Sequence, residues 1–244
     1  MMSDSAGSPS ADLTAQPVVW HPTEAHLQRS RALAFGRDHG LATWDEIRAR
    51  ANADPAWFWE AVCDHLGIVW TKRFERVLDL SNGPAWPEWF TGGRMNYVTS
   101  AVDRHLPTRA NERALLWEGE DGATRSLTYL ELSSEVNRLA NGLRSLGIAK
   151  GDRVGIYLPM LAETAIATLA CGRIGAVFIP IFSGYGAEAA ATRLNDAGAR
   201  LLITADGFYR RGRTVPMKAT ADDAAALAPT VERVIVVRRT GEDV

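Results

Sequence analysis

Cysteine is nearly missing from this chain: only Cys63 and Cys171 occur, far apart. Two such thiols exclude a disulfide framework and fit a reducing, cytoplasmic setting. Histidine is sparse too. His21, His26, His39, His65 and His105 show no H-E-x-x-H or other ligand spacing. Cys63 and His65 lie close together, but no second Cys-His pair completes the roughly four ligands of a structural zinc site. His105, in Asp103-Arg104-His105, reads as a structural histidine rather than a general base. No apolar run approaches the ~18 residues needed to span a bilayer. Neither sign of charge dominates, with 27 Lys and Arg against 29 Asp and Glu and a net charge of −2. No overall field therefore draws the chain to nucleic acid or to an anionic membrane, and no basic-aromatic run suits single strands. A G-x-x-x-x-G-K-[ST] loop is absent, as is a G-x-S-x-G elbow, which removes a Walker-type site and a hydrolase nucleophile. Residues 1–17 lack a basic start, an apolar run and any arginine, so they read as neither secretory signal nor transit peptide but as a disordered tail.

What is present suits a globular fold. The 244 residues are 46% hydrophobic and 23% charged, enough for one large domain or two small ones. Three zones follow: the tail at 1–17, an irregular aromatic-rich stretch at 18–125, and a strongly patterned stretch at 126–244. The middle zone carries all eight Trp residues. Their irregular spacing favours anchors of an extended wrapping segment over a carbohydrate-binding surface. One helix is predicted there, Asp54 to Leu66, with Asp54 as N-cap, Pro55 at the first position and Gly67 as stop; Phe58, Val62 and Leu66 share its face.

The third zone opens on a T-x-x-E capping box, Thr128 with Glu131. Leu132, Val136, Leu139, Leu143 and Leu146 follow at helical spacing, and Gly147 ends the run. Strands are predicted at Val154–Leu158, Ala176–Phe182, Leu201–Thr204 and Val234–Val237. Helices at Ala162–Ile174 and Glu188–Ala197, each stopped by glycine, alternate with them; a basic loop and a short Ala-rich helix precede the fourth strand. Continuous apolar strands in a βαβ rhythm predict an α/β domain with a parallel sheet covered on both faces. The chain stops soon after the fourth strand, so the sheet is expected to be incomplete, with a closing helix and further strands to come.

Open α/β sheets bind ligands at the carboxyl ends of their strands. Two loops there carry chemistry. In one, Gly184-x-Gly186-x-x-Ala189 between a strand and a helix, with Asp206 about 20 residues on, has the form of a dinucleotide fingerprint with its ribose acid; glycines needed only for a turn explain it equally. In the other, Arg210, Arg211 and Arg213 lie within four positions. Guanidinium groups match phosphate with paired hydrogen bonds, while a solvated surface run is the plainer alternative.

A resemblance goes further than the pattern. Met95-Asn96, Ala101 to His105, Trp117-Glu-Gly119, Leu127 to Leu132, Ala140-Asn141, Lys150 to Val154, Tyr157 to Met160, Leu169 to Ala176, Ile203 to Asp206, Arg210 with Arg213, and Pro216 to Lys218 follow one another as in the AMP-forming acetyl-CoA synthetases. The chain resembles that family from about Trp57 to Lys218, and the segment around Asp54–Asn96 is similar to its N-terminal extension. The resemblance implies an acid-thiol ligase of the adenylate-forming superfamily, its small-molecule substrates being acetate or another short acid, ATP with Mg2+, and coenzyme A. An acyl-adenylate forms with loss of pyrophosphate, and the thiol then displaces AMP. It also implies that Phe182, Ser183 and Gly184 lie along the coenzyme A path and that Arg210 and Arg213 bind its nucleotide phosphates. Ser183 stands where the family usually has Gly. The phosphate loop, acyl pocket, adenine segment and catalytic lysine come later in the family, and Lys218 is not that lysine. No catalytic residue is therefore expected in this chain, which should be inactive without the C-terminal remainder. The remaining alternative is a dinucleotide-binding, NAD-type oxidoreductase domain.

Overall fold

The computed structural model describes residues 18–242 and 244; the expected tail at 1–17 lies outside them. The chain forms two compact units, one of residues up to Leu66 with Val77–Trp89, the other of Gly67–Arg76 with Phe90–Val244.

The smaller unit is built by local capping signals. Helices α1 (Glu24–Arg29), α2 (Arg31–Asp38), α3 (Trp44–Ala53) and α4 (Pro55–Leu66) follow one another. The Ser30 hydroxyl accepts the Leu33 N–H at 3.3 Å. Thr43 and Glu46 cap α3 reciprocally, the same T-x-x-E device that the third zone shows. Asp54 accepts the Trp57 N–H at 3.0 Å, so α4 starts where expected. This stretch is thus helical rather than irregular. Its core is Phe35, Ile47 and Ala61, with Trp57, Phe58 and Val62 against it; Leu66 is exposed, so the apolar face of α4 runs through Ala61 instead. The Trp57 ring meets Phe35 and lies under the Arg50 guanidinium. Trp20, Trp44, Trp59, Trp86 and Trp89 are exposed, although Trp59 meets Phe58 and Trp89 edge-on. Strands β1 (Arg76–Asp79) and β2 (Glu88–Thr91) form a small two-stranded sheet.

In the larger unit, α5 (Tyr97–Ala101), α6 (Leu106–Arg109) and the antiparallel pair β3 (Arg113–Glu118) and β4 (Thr124–Thr128) lead into α7 (Tyr129–Ser145). Then come β5 (Arg153–Tyr157), α8 (Ala162–Ile174), β6 (Val177–Ile181), α9 (Ala187–Ala197), β7 (Leu201–Ala205), β8 (Gly207–Arg210), β9 (Arg213–Pro216), α10 (Lys218–Ala226) and β10 (Arg233–Val237). The capping box at Thr128 and Glu131 starts α7, and Gly175 and Gly198 stop α8 and α9 in the left-handed conformation. The α/β class and the four strands stand as expected: β10, β7, β5 and β6 lie side by side in that order, all parallel.

Helices cover both faces of this sheet. Gly155 on β5 leaves room for α9, since a Cβ there would sit 2.5 Å from Leu194 Cδ2 and 3.1 Å from Leu202 Cδ1. Ile203, one residue along β7, faces the groove lined by α7 and α8; successive strand side chains point to opposite faces. All five residues of β7 are buried, while those of β10, at the sheet edge, are partly exposed or exposed. The segment before β3 is clamped to α8. Asn96 Nδ2 donates to the Gly172 and Arg173 carbonyls at 2.9 and 3.2 Å. The Tyr97 hydroxyl donates to the Thr168 carbonyl at 2.8 Å, and Arg173 holds Asp103 through two bonds of 2.6 and 2.8 Å.

The stretch after β7 differs from the expected basic loop. It is a hairpin, with Gly207 to Arg210 paired antiparallel to Pro216 to Arg213. Arg211 and Gly212 form its two-residue turn at φ of 51° and 72°, the sign pattern of a type I′ turn.

Candidate functional site

Open α/β sheets bind ligands at the carboxyl ends of their strands. There lies a cleft of about 340 Å³, lined by Pro159 and Met160 after β5, Phe182 and Ser183 after β6, Tyr209 and Arg210 on the hairpin, and Trp117 to Glu120 at the end of β3 and the start of its turn. A second cavity of about 290 Å³ shares Ser183 and Arg210 and adds Gly184, Tyr157 and Thr220. The structure therefore brings Phe182, Ser183, Gly184 and Arg210 together. Arg213 lines neither cavity; it is the register partner of Arg210 at the hairpin end.

Each wall has an identifiable support. The Phe182 ring is 60% exposed and meets Tyr185 edge-on at 5.5 Å. It lies over Gly184, where a Cβ would come within 2.5 Å of the ring, so this glycine is needed for the ring's seat. The buried Tyr157 hydroxyl donates to the Tyr185 carbonyl at 2.5 Å, and burial pushes that phenol above its ordinary pKa. On the opposite wall, Arg239 follows β10 with its guanidinium between Tyr209 at 4.8 Å and Trp117 at 5.1 Å. Asp121 closes an ion pair with it at 2.6 Å, and this hydrogen bond holds the Asp121 carboxyl below the usual range. The Trp117 indole N–H donates to the Met160 carbonyl at 2.7 Å, tying β3 to the loop after β5.

Asp206 is not available to a ribose. Its side chain is 1% exposed and accepts the backbone N–H groups of Gly207 and Arg239 at 2.7 Å each, Thr240 at 3.1 Å and Gly241 at 2.8 Å. Burial would raise this carboxyl, but the N–H groups of Arg239, Thr240, Gly207 and Gly241 outweigh it and leave the pKa lowered. The dinucleotide reading thus loses its acid, and Gly184 already has a local reason in Phe182. His105 stacks on Tyr129 at 4.7 Å, away from the cleft; burial, then Arg104 and Arg109, hold its pKa below the ordinary value. Among the described residues no group of three or more His, Cys, Asp or Glu is placed to hold a metal ion, and no helix is long and apolar enough to cross a membrane.

The arginines fall into two kinds. Arg125, Arg173, Arg200 and Arg239 are paired with carboxylates across the fold. Arg210, Arg211 and Arg213 are exposed at the hairpin tip, with no acidic partner for their guanidinium groups among the described residues.

Residues 102–243, more than half of the chain, match the family described as AMP-binding enzyme. The chain belongs to that family. Ahead of this match, residues 44–101 match the acetyl-coenzyme A synthetase N-terminus. The chain is 46% identical to an acetyl-coenzyme A synthetase of Streptomyces coelicolor over 82% of this chain and 32% of that protein. Against one of Rhodopirellula baltica it is 43% identical over 100% of this chain and 34% of that protein. The solved acetoacetyl-CoA synthetase of Streptomyces lividans superposes with a TM-score of 0.83 at 27% identity, covering 92% of this chain and 36% of that one. The chain therefore spans about a third of the length of these relatives.

Within this AMP-binding enzyme chain, sequence reasoning missed Trp117, Glu120, Asp121, Tyr209 and Arg239 as one wall. They come from β3, its turn, β8 and the loop after β10, and only the sheet brings them together. Trp117-Glu-Gly119 was visible as a motif; its partner Arg239 carried no local signal.

Proposed function

We propose that this chain forms the coenzyme A-facing wall of an AMP-forming acyl-CoA synthetase acting on acetate or another short acid. One observation carries the reading. At the ligand-binding end of the parallel sheet, Arg210, without an acidic partner among the described residues, shares a cleft with Phe182 and Ser183, in a chain of this family. Phe182 and Gly184 would pass the pantetheine arm, with Ser183 narrowing the approach, and Arg210 with Arg213 would hold the nucleotide phosphates. ATP and Mg2+ would be held by the remainder of the enzyme, which this chain meets as its partner. Cys63 and Cys171 are not joined in a disulfide, which fits a reducing, cytoplasmic setting. In the domain plan that goes with this reading, 18–125 is the extension and 126–244 the first part of the AMP-binding domain.

The test is calorimetric titration of the purified chain with coenzyme A, dephospho-coenzyme A and NADH. Coenzyme A should bind more tightly than dephospho-coenzyme A, and Arg210→Ala should weaken it roughly tenfold or more, since a bond to a charged group is worth ~1.5 kcal/mol or more. Tighter binding of NADH than of coenzyme A, or an Arg210→Ala chain that binds as the parent does, would remove the assignment.

A further inference from the structure

The tip of the β8–β9 hairpin is locally disfavoured in three ways. Arg211 occupies a left-handed position at φ 51°, a region disfavoured for a side chain with a Cβ; type I′ turns ordinarily place Asn, Asp or Gly there. Arg210 and Arg213 are direct cross-strand partners, and like charges directly opposite destabilise a pair. Three cations within four residues add to the repulsion. Strain of this kind persists only where surrounding structure holds it. What holds it comes from the β3–β4 turn: Glu120 Oε2 accepts the Arg211 backbone N–H at 2.5 Å.

We propose that Glu120 is a positioning residue, which fixes the arginine turn through its backbone and so presents Arg210 to the cleft with its guanidinium unspent. The division of labour on the β3–β4 turn supports this. Asp121 takes the side chain of Arg239, while Glu120, which lines the same cleft as Arg210, takes a main-chain amide. A carboxylate on an amide supplies the local negative charge the tip needs without occupying the forked donors that a phosphate would use. The proposal rests on the coenzyme A reading above, because the ligand gives the positioning its purpose.

The test measures two things on the 244-residue chain: exchange of the Arg211 and Gly212 amides by NMR, and coenzyme A affinity by calorimetry. Glu120→Ala should speed exchange of those amides by about tenfold and weaken coenzyme A by roughly three- to tenfold; Glu120→Gln, which keeps an acceptor oxygen, should fall between. Adding Arg211→Asn to Glu120→Ala supplies an Asn-Gly pair that forms a type I′ turn by itself. It should restore affinity to within about twofold of the Arg211→Asn single variant. Three results overturn the proposal: parent-like exchange in Glu120→Ala, faster exchange with unchanged affinity, or a lost affinity that Arg211→Asn does not restore. An Arg210→Ala chain with parent affinity instead overturns the coenzyme A reading, and the positioning role falls with it. Circular dichroism of Glu120→Ala, an exposed-turn substitution, checks that the fold is kept.

Discussion

Asp206→Asn is the substitution that most directly tests how the cleft is held. The native carboxylate satisfies four backbone donors: Oδ1 takes Gly207, Arg239 and Thr240, and Oδ2 takes Thr240 and Gly241. The main chain of the same residue also accepts the N–H groups of Met217 and Lys218 and donates to the Val237 carbonyl. An amide of equal shape keeps one acceptor oxygen but turns an NH2 toward amides that also donate. At least the Gly241 bond is lost, and a donor faces a donor in a buried site. Bonds to charged groups are worth ~1.5–3 kcal/mol, and an unsatisfied buried donor costs ~1–3 kcal/mol. The terms are not additive, so about 3 kcal/mol is expected, a large part of the ~5–15 kcal/mol that holds a domain together. The loop at Arg239 to Gly241 should loosen first and take with it the Arg239 stack on Trp117. Urea unfolding followed by tryptophan fluorescence and circular dichroism measures the loss. The pH dependence has a definite sign. The folded-state pKa is depressed, so the contribution of Asp206 is fully present above the unfolded-state value of ~3.9 and is lost as pH falls through the lower folded value. Stability of the parent should therefore drop with acid below about pH 4, and that share of the drop should be missing in Asp206→Asn. An Asp206→Asn chain within ~0.5 kcal/mol of the parent at pH 7, against the penalty expected for buried donors, would refute the reasoning.

Gly172→Ala would place a Cβ 2.3 Å from the Tyr97 ring, whose hydroxyl is held by the Thr168 carbonyl; a loss of about 1–3 kcal/mol in urea unfolding is expected from such overpacking. Cys171 is fully buried and its thiol is pushed up to about 12 by burial, so at pH 8 a thiol-specific disulfide reagent should modify the native chain at Cys63 alone, both thiols reacting only after unfolding. The purified chain with ATP, magnesium and acetate, propionate or butyrate should release no pyrophosphate above background, because the preorganised donors for a triphosphate that dominate such catalysis are assigned to the remainder of the enzyme; turnover that follows the protein through purification would contradict this.

The parallel sheet was legible because its signals are local. A capping box at Thr128 and Glu131, glycines at 175 and 198, and short apolar runs mark ends and faces without help from distant residues, and α8 matches its predicted span Ala162–Ile174. The hairpin at Gly207–Pro216 was read as a loop because Arg-Gly is not an I′ sequence; a carboxylate 91 positions earlier stabilises it. In the smaller unit α4 alone was legible; α1 to α3 were not, although Thr43 and Glu46 repeat the same capping device. Five of the eight Trp residues of the 18–125 zone are exposed and mark no core.

Sequence alone determined the α/β class, the four strands with their parallel direction and the presence of Phe182, Ser183, Gly184 and Arg210 on strand-end loops, because each depends on periodicity, capping or chain direction within a few residues. Tertiary structure alone decided what Asp206, Arg239 and Glu120 do. Asp206 has the spacing of a ribose acid, yet it closes on amides 33 to 35 positions away. Whether a carboxylate serves a ligand or the main chain depends on which donors reach it once the strands are paired, and a parallel sheet brings those donors from segments whose separation no local pattern encodes.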